Sequence, residues 1–154
     1  RDLDQAIDYG QQALKLDSSY AMTHYNLGLA YQLKPDFTRA KSHYQMAIRY
    51  DPNYMEAYFN IGLIHYREEN YLAAEKVWLE YARLKPQDPG VYQNLLFAKV
   101  EQNQLEAALK YLEQALANGG FPDQNELDTD AQLVELRKLP GYAELIKKYF
   151  PKKK

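Results

Sequence analysis

From Ala21 to Leu33 the apolar positions form two stripes at helical spacing: Tyr25, Leu29 and Leu33 on one, Leu27, Ala30 and Tyr31 on the other. A helix that is apolar on two faces is contacted from more than one side. Pro35 and Asp36 interrupt the pattern, and Asp36 is placed to cap a second helix from Phe37 to Tyr50. Asp51-Pro52-Asn53 ends that helix, because the residue before a proline avoids the helical region. The plan returns from Met55 to Asp88, where Asn70 opens the second helix and Lys85-Pro86 closes it. It returns again after Asp88, an N-cap followed by Pro89 at the first helical position, where a missing N–H costs nothing. Here the second helix, Leu105 to Ala117, stops at Asn118-Gly119-Gly120, where glycine permits a positive φ. Asp2 to Leu16 reads as the second helix of a unit without its first.

The recurrence has a fixed period of 34 residues. Asn26, Asn60 and Asn94 share a phase, followed by Leu27, Ile61 and Leu95; Ala40, Ala74 and Ala108 share another, which Ala6 extends backward. A two-helix unit of this length cannot bury its own apolar face, so neighbouring units are expected to stack into a solenoid. Gly28 and Gly62 fall where another helix is expected to cross at short distance, with the alanine ladder receiving the neighbour from the opposite side. Overfilling such a crossing costs roughly 1–3 kcal/mol, so Leu96 at the third glycine position implies a different crossing there.

These residues resemble the tetratricopeptide repeat family. Asn26-Leu27-Gly28 with Tyr31, Ala40, Ala47 and Pro52 fulfils its pattern, and Asn60-Ile61-Gly62, Ala74 and Pro86 follow. His65 stands where Tyr is usual and Tyr81 where a small Ala is usual. The third unit departs further, with Leu96 for Gly, Lys99 for the Tyr and Gly120 for the Pro. The resemblance covers residues 1 to about 120 and implies an all-α, right-handed α-α superhelix. The expected organisation is a partial unit over 1–20, full units over 21–54, 55–88 and 89–122, and a helical cap with a basic tail over 123–154.

The period fails from Phe121 onward. A helix is expected from Asn125 to Leu139, with Leu127, Leu133, Leu136 and Leu139 as contacts. Pro140-Gly141 breaks it, and a short helix from Tyr142 to Phe150 follows. The string Leu133-Val134-Glu135-Leu136-Arg137 with Pro140 and Leu145-Ile146 looks like a tail found after some bacterial arrays of this family. It is expected to cover the open face of the third unit. Pro151-Lys152-Lys153-Lys154 reads as a solvated tail.

Composition narrows the function more than the fold. A formal charge of −2 leaves no basic excess for a general nucleic-acid or anionic-membrane binder. The chain has no Cys, which excludes disulfides and thiolate metal sites but leaves the compartment open. No apolar stretch approaches membrane-spanning length. Fifteen Tyr suit thin helical layers, where a ring packs while its hydroxyl reaches water.

No catalytic set is visible. His24, His43 and His65 lie at different phases, and His24 and His65 occupy slots of aromatic core residues, so packed rings are expected rather than ligands. His-Glu-x-x-His spacing, a phosphate-cradling glycine loop and a Gly-x-Ser-x-Gly elbow are all missing. Neither a metal nor a cofactor is expected.

A binding face is better supported. The family resemblance implies that first helices line a concave surface, on which Tyr25 and Leu29, Phe59 and Leu63, and Gln93 and Phe97 project inward. An apolar stripe there implies that a bound segment or the chain's own tail covers it. Asn26, Asn60 and Asn94 add amides that can hold a peptide backbone, or else bond to an adjacent helix. The expected function is a non-enzymatic scaffold for an unidentified protein or peptide partner. The two-carboxylate clamp for heat-shock chaperone tails is rejected, since Tyr25, Leu29, Gly90 and Asn94 replace its residues and only Asn60 matches. The alternatives are self-association through Leu3, Ile7 and Leu14 on the incomplete first unit and, more weakly, a small-molecule or lipid carrier.

Overall fold

The computed structural model describes residues 2–151, so Arg1 and the Lys152–Lys154 end of the expected basic tail lie outside the described residues. The described residues fold as two compact units, divided after Glu68. Their boundary falls inside the second 34-residue repeat.

The first unit contains four helices: α1 (Asp2–Leu16), α2 (Ala21–Leu33), α3 (Phe37–Tyr50) and α4 (Met55–Arg67). α2 packs between α1 and α3, and α3 packs on α4. The stripe of Leu27, Ala30 and Tyr31 is thereby covered, and that of Tyr25, Leu29 and Leu33 only in part. Leu27, Ala30 and Tyr31 are buried, whereas Leu33 is exposed. Asp36 caps α3 by accepting from the Arg39 N–H at 3.0 Å.

The second unit begins with α5 (Tyr71–Leu84), α6 (Pro89–Glu101) and α7 (Leu105–Ala117), with α6 packed on both neighbours. Asn70 caps α5 through the Ala73 N–H, and Asp88 caps α6 through the Gly90 N–H with Pro89 in the first turn. After α7 the chain turns at Gly119, whose φ of +83° is the left-handed value that glycine supplies most cheaply.

Beyond that turn the expected single helix is a broken one. α8 spans only Gln124–Thr129, followed by 3-10 turns at Ala131–Leu133 and Leu136–Lys138 and then α9 (Pro140–Tyr149). Asp130 is extended and caps the first of these turns through the Gln132 N–H. The Arg137 guanidinium donates to the Leu127 and Asp130 carbonyls, each at 2.8 Å, and so satisfies the acceptors freed by the break. Breaking the helix brings Leu127, Leu133 and Leu136 all to complete burial, in one cluster with Leu96, Leu109, Leu112, Leu116, Phe121, Tyr142 and Leu145. A straight helix would have placed Leu127 and Leu136, nine residues apart, on opposite faces.

The repeat geometry follows the sequence ladders. Ala40, Ala74 and Ala108 are fully buried, while Ala6 on α1 is exposed. Gly28 is tightly approached: a β-carbon there would lie 2.5 Å from the Tyr44 ring. At the same two phases the second unit has Leu96 and Leu112, both buried in one cluster, so two medium side chains replace a glycine and a ring. The family's usual Tyr, present as buried Tyr31, gives way at Lys99 to a buried ammonium held by Glu75 at 2.6 Å and Gln104 at 2.7 Å. Tyr81, in place of a small Ala, donates its hydroxyl to the Asp88 carboxylate at the start of α6.

Candidate functional site

The candidate residues of the first unit lie on α2 and α4. Tyr25 is half-buried, with its ring 4.9 Å from Tyr54 and 5.6 Å from Tyr44, and its hydroxyl accepts from the Asn60 amide at 3.3 Å. Asn60 is therefore bonded to the preceding first helix. Asn26 is exposed, and among the described residues its amide has no hydrogen bond. Leu29, Phe59 and Leu63 are half-buried. Met22 is 46 % exposed and Leu33 is 69 % exposed, which extends the accessible apolar residues over the full length of α2. α2 contains no Asp, Glu, Lys or Arg, so its open surface offers apolar contact and amide hydrogen bonding but no charge.

In the second unit Gln93 and Asn94 are half-buried on α6, without a hydrogen bond to either side chain among the described residues. Phe97 is also half-buried, but it packs against the leucine cluster that the C-terminal segment completes. Two occupants are implied by an apolar stripe of this kind, a bound segment or the chain's own tail. The cluster that Phe97 packs against includes residues of the tail.

The residues read as candidates for self-association lie on α1. Ile7 is buried, and Leu3 and Leu14 are half-buried; the exposed apolar side chains of α1 are Tyr9 and Leu16.

The histidines are packed, as expected, yet two of them meet. His24 Nδ1 lies 3.2 Å from His43 Nδ1, and His24 Nε2 lies 3.0 Å from the Ser18 carbonyl. His24 stacks on Tyr50 and His43 on Tyr31. Burial is the chief cause that lowers the His43 pKa, followed by the charges of His24 and Arg39. The sequence contained a signal for half of this pair. Tyr58 and Tyr92 stand 34 and 68 residues after His24, and each donates its hydroxyl to the carbonyl six residues earlier, Pro52 and Pro86. His24 Nε2 meets the equivalent carbonyl. The other half, His43, had no such marker. His65 lies apart, with Nδ1 buried 3.5 Å from Glu68 but without a hydrogen-bond partner among the described residues.

A cavity of about 690 Å³ opens beside α8 and α9, lined by Gln124, Asp128, Tyr142, Ala143, Ile146, Lys147, Phe150 and Pro151. Tyr142 donates to Asp128 at 3.3 Å, and burial with that carboxylate pushes its pKa up to about 12. None of the residues read as site candidates lines this cavity. Among the described residues, no group of three or more His, Asp or Glu converges as a metal site, and no helix is long and apolar enough to cross a membrane.

Comparison with known proteins agrees with the hairpin geometry. Two sequence models of the tetratricopeptide repeat match, over residues 25–89 and 89–117. A search of curated protein sequences found no match. Among solved structures, a MamA double mutant shares 19 % identity at a TM-score of 0.77, over 96 % of this chain and 83 % of that one. YrrB, described as "a TPR protein with an unusual peptide-binding site", shares 18 % identity at a TM-score of 0.74, over 96 % and 76 %. The N-terminal domain of stress-induced protein-1 from C. elegans shares 22 % identity at a TM-score of 0.67, over 77 % and 94 %. These likenesses establish an all-α helical-repeat fold of the solenoid class. With the 34-residue phase, the buried alanine ladder and the sequence matches together, the chain belongs to the tetratricopeptide repeat family, whose repeats are protein-interaction modules.

Proposed function

We propose that this protein is a non-enzymatic interaction module that takes an uncharged, largely apolar segment of a partner protein, extended or helical, against its first-helix faces. The observation that supports it most is the exposed side of α2. Met22, Leu29 and Leu33 remain accessible beside Asn26, whose amide has no bond within the described residues. Apolar contact would supply affinity, and the amide would hold a backbone group of the partner. Tyr25, Phe59, Asn60 and Leu63 extend this surface in the first unit; Gln93, Asn94 and Phe97 are the equivalent positions of the second. The description of YrrB as having a peptide-binding site is consistent with such a role for a chain of this fold.

The test is affinity capture from a source lysate with the intact chain and with Leu29→Glu and Leu63→Glu variants, whose helicity is checked by circular dichroism. Loss of the same captured protein in both variants is expected. Equal capture by folded variants and by the parent overturns the proposal. Phe97→Glu is a poorer probe, because Phe97 also packs against the C-terminal cluster.

Self-association is a second reading, supported by Tyr9 at 67 % and Leu16 at 92 % exposure on α1 beside the half-buried Leu3 and Leu14. Light scattering across a dilution series tests it, and a strict monomer at all concentrations rules it out.

A further inference from the structure

The His24–His43 contact has a proton arrangement that the structure determines. The Ser18 carbonyl can only accept, so the His24 Nε2 it faces must hold a hydrogen. The tyrosine hydroxyls at the same phase, Tyr58 and Tyr92, donate to their carbonyls in the same way. Neutral His24 then has a bare Nδ1, which accepts from the Nδ1–H of His43 across 3.2 Å. One proton added to the couple leaves the bond intact, since whichever Nδ1 carries the hydrogen donates to the other. A proton added to His43 at Nε2 keeps the bond but places a cation in a half-buried slot against the Tyr31 ring. Two added protons cannot be held at all in this geometry.

The surroundings do not offset that charge. On α3, Arg39 is a fixed cation whose guanidinium lies 4.6 Å from the Tyr31 ring centre, with Asp36 already paired to it. On α2, Tyr31 accepts from Gln11 of α1; of the acids of α1, Asp4 is engaged by Lys34 and Asp8 by Gln12, and Asp2 stands at its first residue. Before α2, Asp17 is bonded to Ser19. Toward α4, α3 presents Lys41, which pairs with Glu68 near His65. Among the described residues no carboxylate pairs with either imidazole of the couple.

We propose that the His24–His43 couple is an acid-sensitive latch between α2 and α3, which keeps the α2 face formed near neutral pH and releases it in mild acid. The inference rests on the proposed use of that face for binding and assigns it a pH dependence. The unfolded chain takes up a proton on each histidine below about pH 6.5. The folded couple refuses at least one of them. Folding therefore releases protons in acid, and stability is fully present above pH 6.5 and falls as pH drops below it. The lowered pKa of His43, caused by burial first and then by His24 and Arg39, has the same sign. Each excluded proton reduces the folding equilibrium constant about tenfold per pH unit within that window.

The test uses the intact chain without any partner. Hydrogen exchange of the α2 and α3 amides is followed at pH 7.5 and 5.5, corrected for intrinsic exchange, in the parent, His43→Gln, His24→Leu and His65→Tyr. A glutamine at 43 can donate to or accept from His24 by turning its amide, so it bonds in either protonation state. Expected is a loss of protection of about tenfold or more at pH 5.5 in the parent and in His65→Tyr, and a much smaller loss in His43→Gln and His24→Leu. Unchanged protection in the parent overturns the latch, as does an equal loss in all four proteins. Capture at pH 7.5 by Leu29→Glu and Leu63→Glu tests the binding face separately, so either idea can fail without the other.

Discussion

The two units solve the same packing problem with different materials. In the first, Gly28 admits the fully buried ring of Tyr44, and stacked aromatic and imidazole rings join α2 to α3. In the second, Leu96 and Leu112 fill the corresponding phases, and a buried ion pair between Lys99 and Glu75 stands at the tyrosine phase. The first unit leaves apolar residues of α2 open, whereas the second draws its C-terminal segment over α6 and α7 to complete a leucine core. A repeat phase therefore specifies a volume and a position more strictly than it specifies a residue. When both partners of a contact change together, the hairpin survives.

The sharpest way to break this comparison is the ion pair. Lys99→Met leaves Glu75 buried without its cation, and we expect a loss of about 3 kcal/mol in denaturant unfolding followed on the second unit. Adding Glu75→Leu should recover most of that loss. If the single substitution is neutral, the pair is solvated in practice and the contrast with Tyr31 disappears.

Next in size are the two halves of the volume exchange. Leu96→Ala should cost about 3 kcal/mol by leaving a cavity among fully buried neighbours. Gly28→Ala should cost about 2 kcal/mol by the opposite mechanism, since the added methyl meets a ring that has no room to retreat. Chemical denaturation with hydrogen exchange to assign the affected unit checks both. A tolerated Gly28→Ala would show that the first crossing is looser than its geometry implies.

The smallest effect concerns the turn between paired helices. Glu69 and Asn103, 34 residues apart, both adopt left-handed backbone, with φ of 59° and 56°. Pro35 stands at the same phase in the first unit. Glu69→Gly should stabilise the second unit by about 1 kcal/mol at most, relief of the left-handed strain exceeding the added chain entropy. Asn103→Gly should change the second unit by less than that, because Asn tolerates this region. A raised midpoint for Glu69→Gly and a near-constant one for Asn103→Gly is the expected pair of results.

Helix order, repeat phase and most caps were legible because they depend on local chemistry. Asp36, Asn70 and Asp88 bond to amides two or three residues away, and Gly119 takes the positive φ that its position demanded. The departures from the family pattern at Leu96, Lys99 and Tyr81 were legible as departures but not as solutions. Their partners Leu112, Glu75 and Asp88 stand 16, 24 and 7 residues away along the chain. The segment after Thr129 departs from the expected helix for a related reason. Its leucine spacing permits a helix, but burying Leu127, Leu133 and Leu136 in one cluster, with Arg137 bonding the freed carbonyls, outweighs local preference.

By itself the sequence determined a helical array of period 34, because hydrophobic phase, caps and breakers act within a turn or two of where they are written. Only tertiary structure decided which candidate residues stay accessible: Asn26 open, Asn60 bonded to Tyr25, Phe97 drawn toward the C-terminal cluster. It also decided that two histidines nineteen positions apart meet nitrogen to nitrogen. The physical reason is that accessibility and proton placement depend on what arrives from another helix, and a chain's own periodicity does not record its neighbour's side chains.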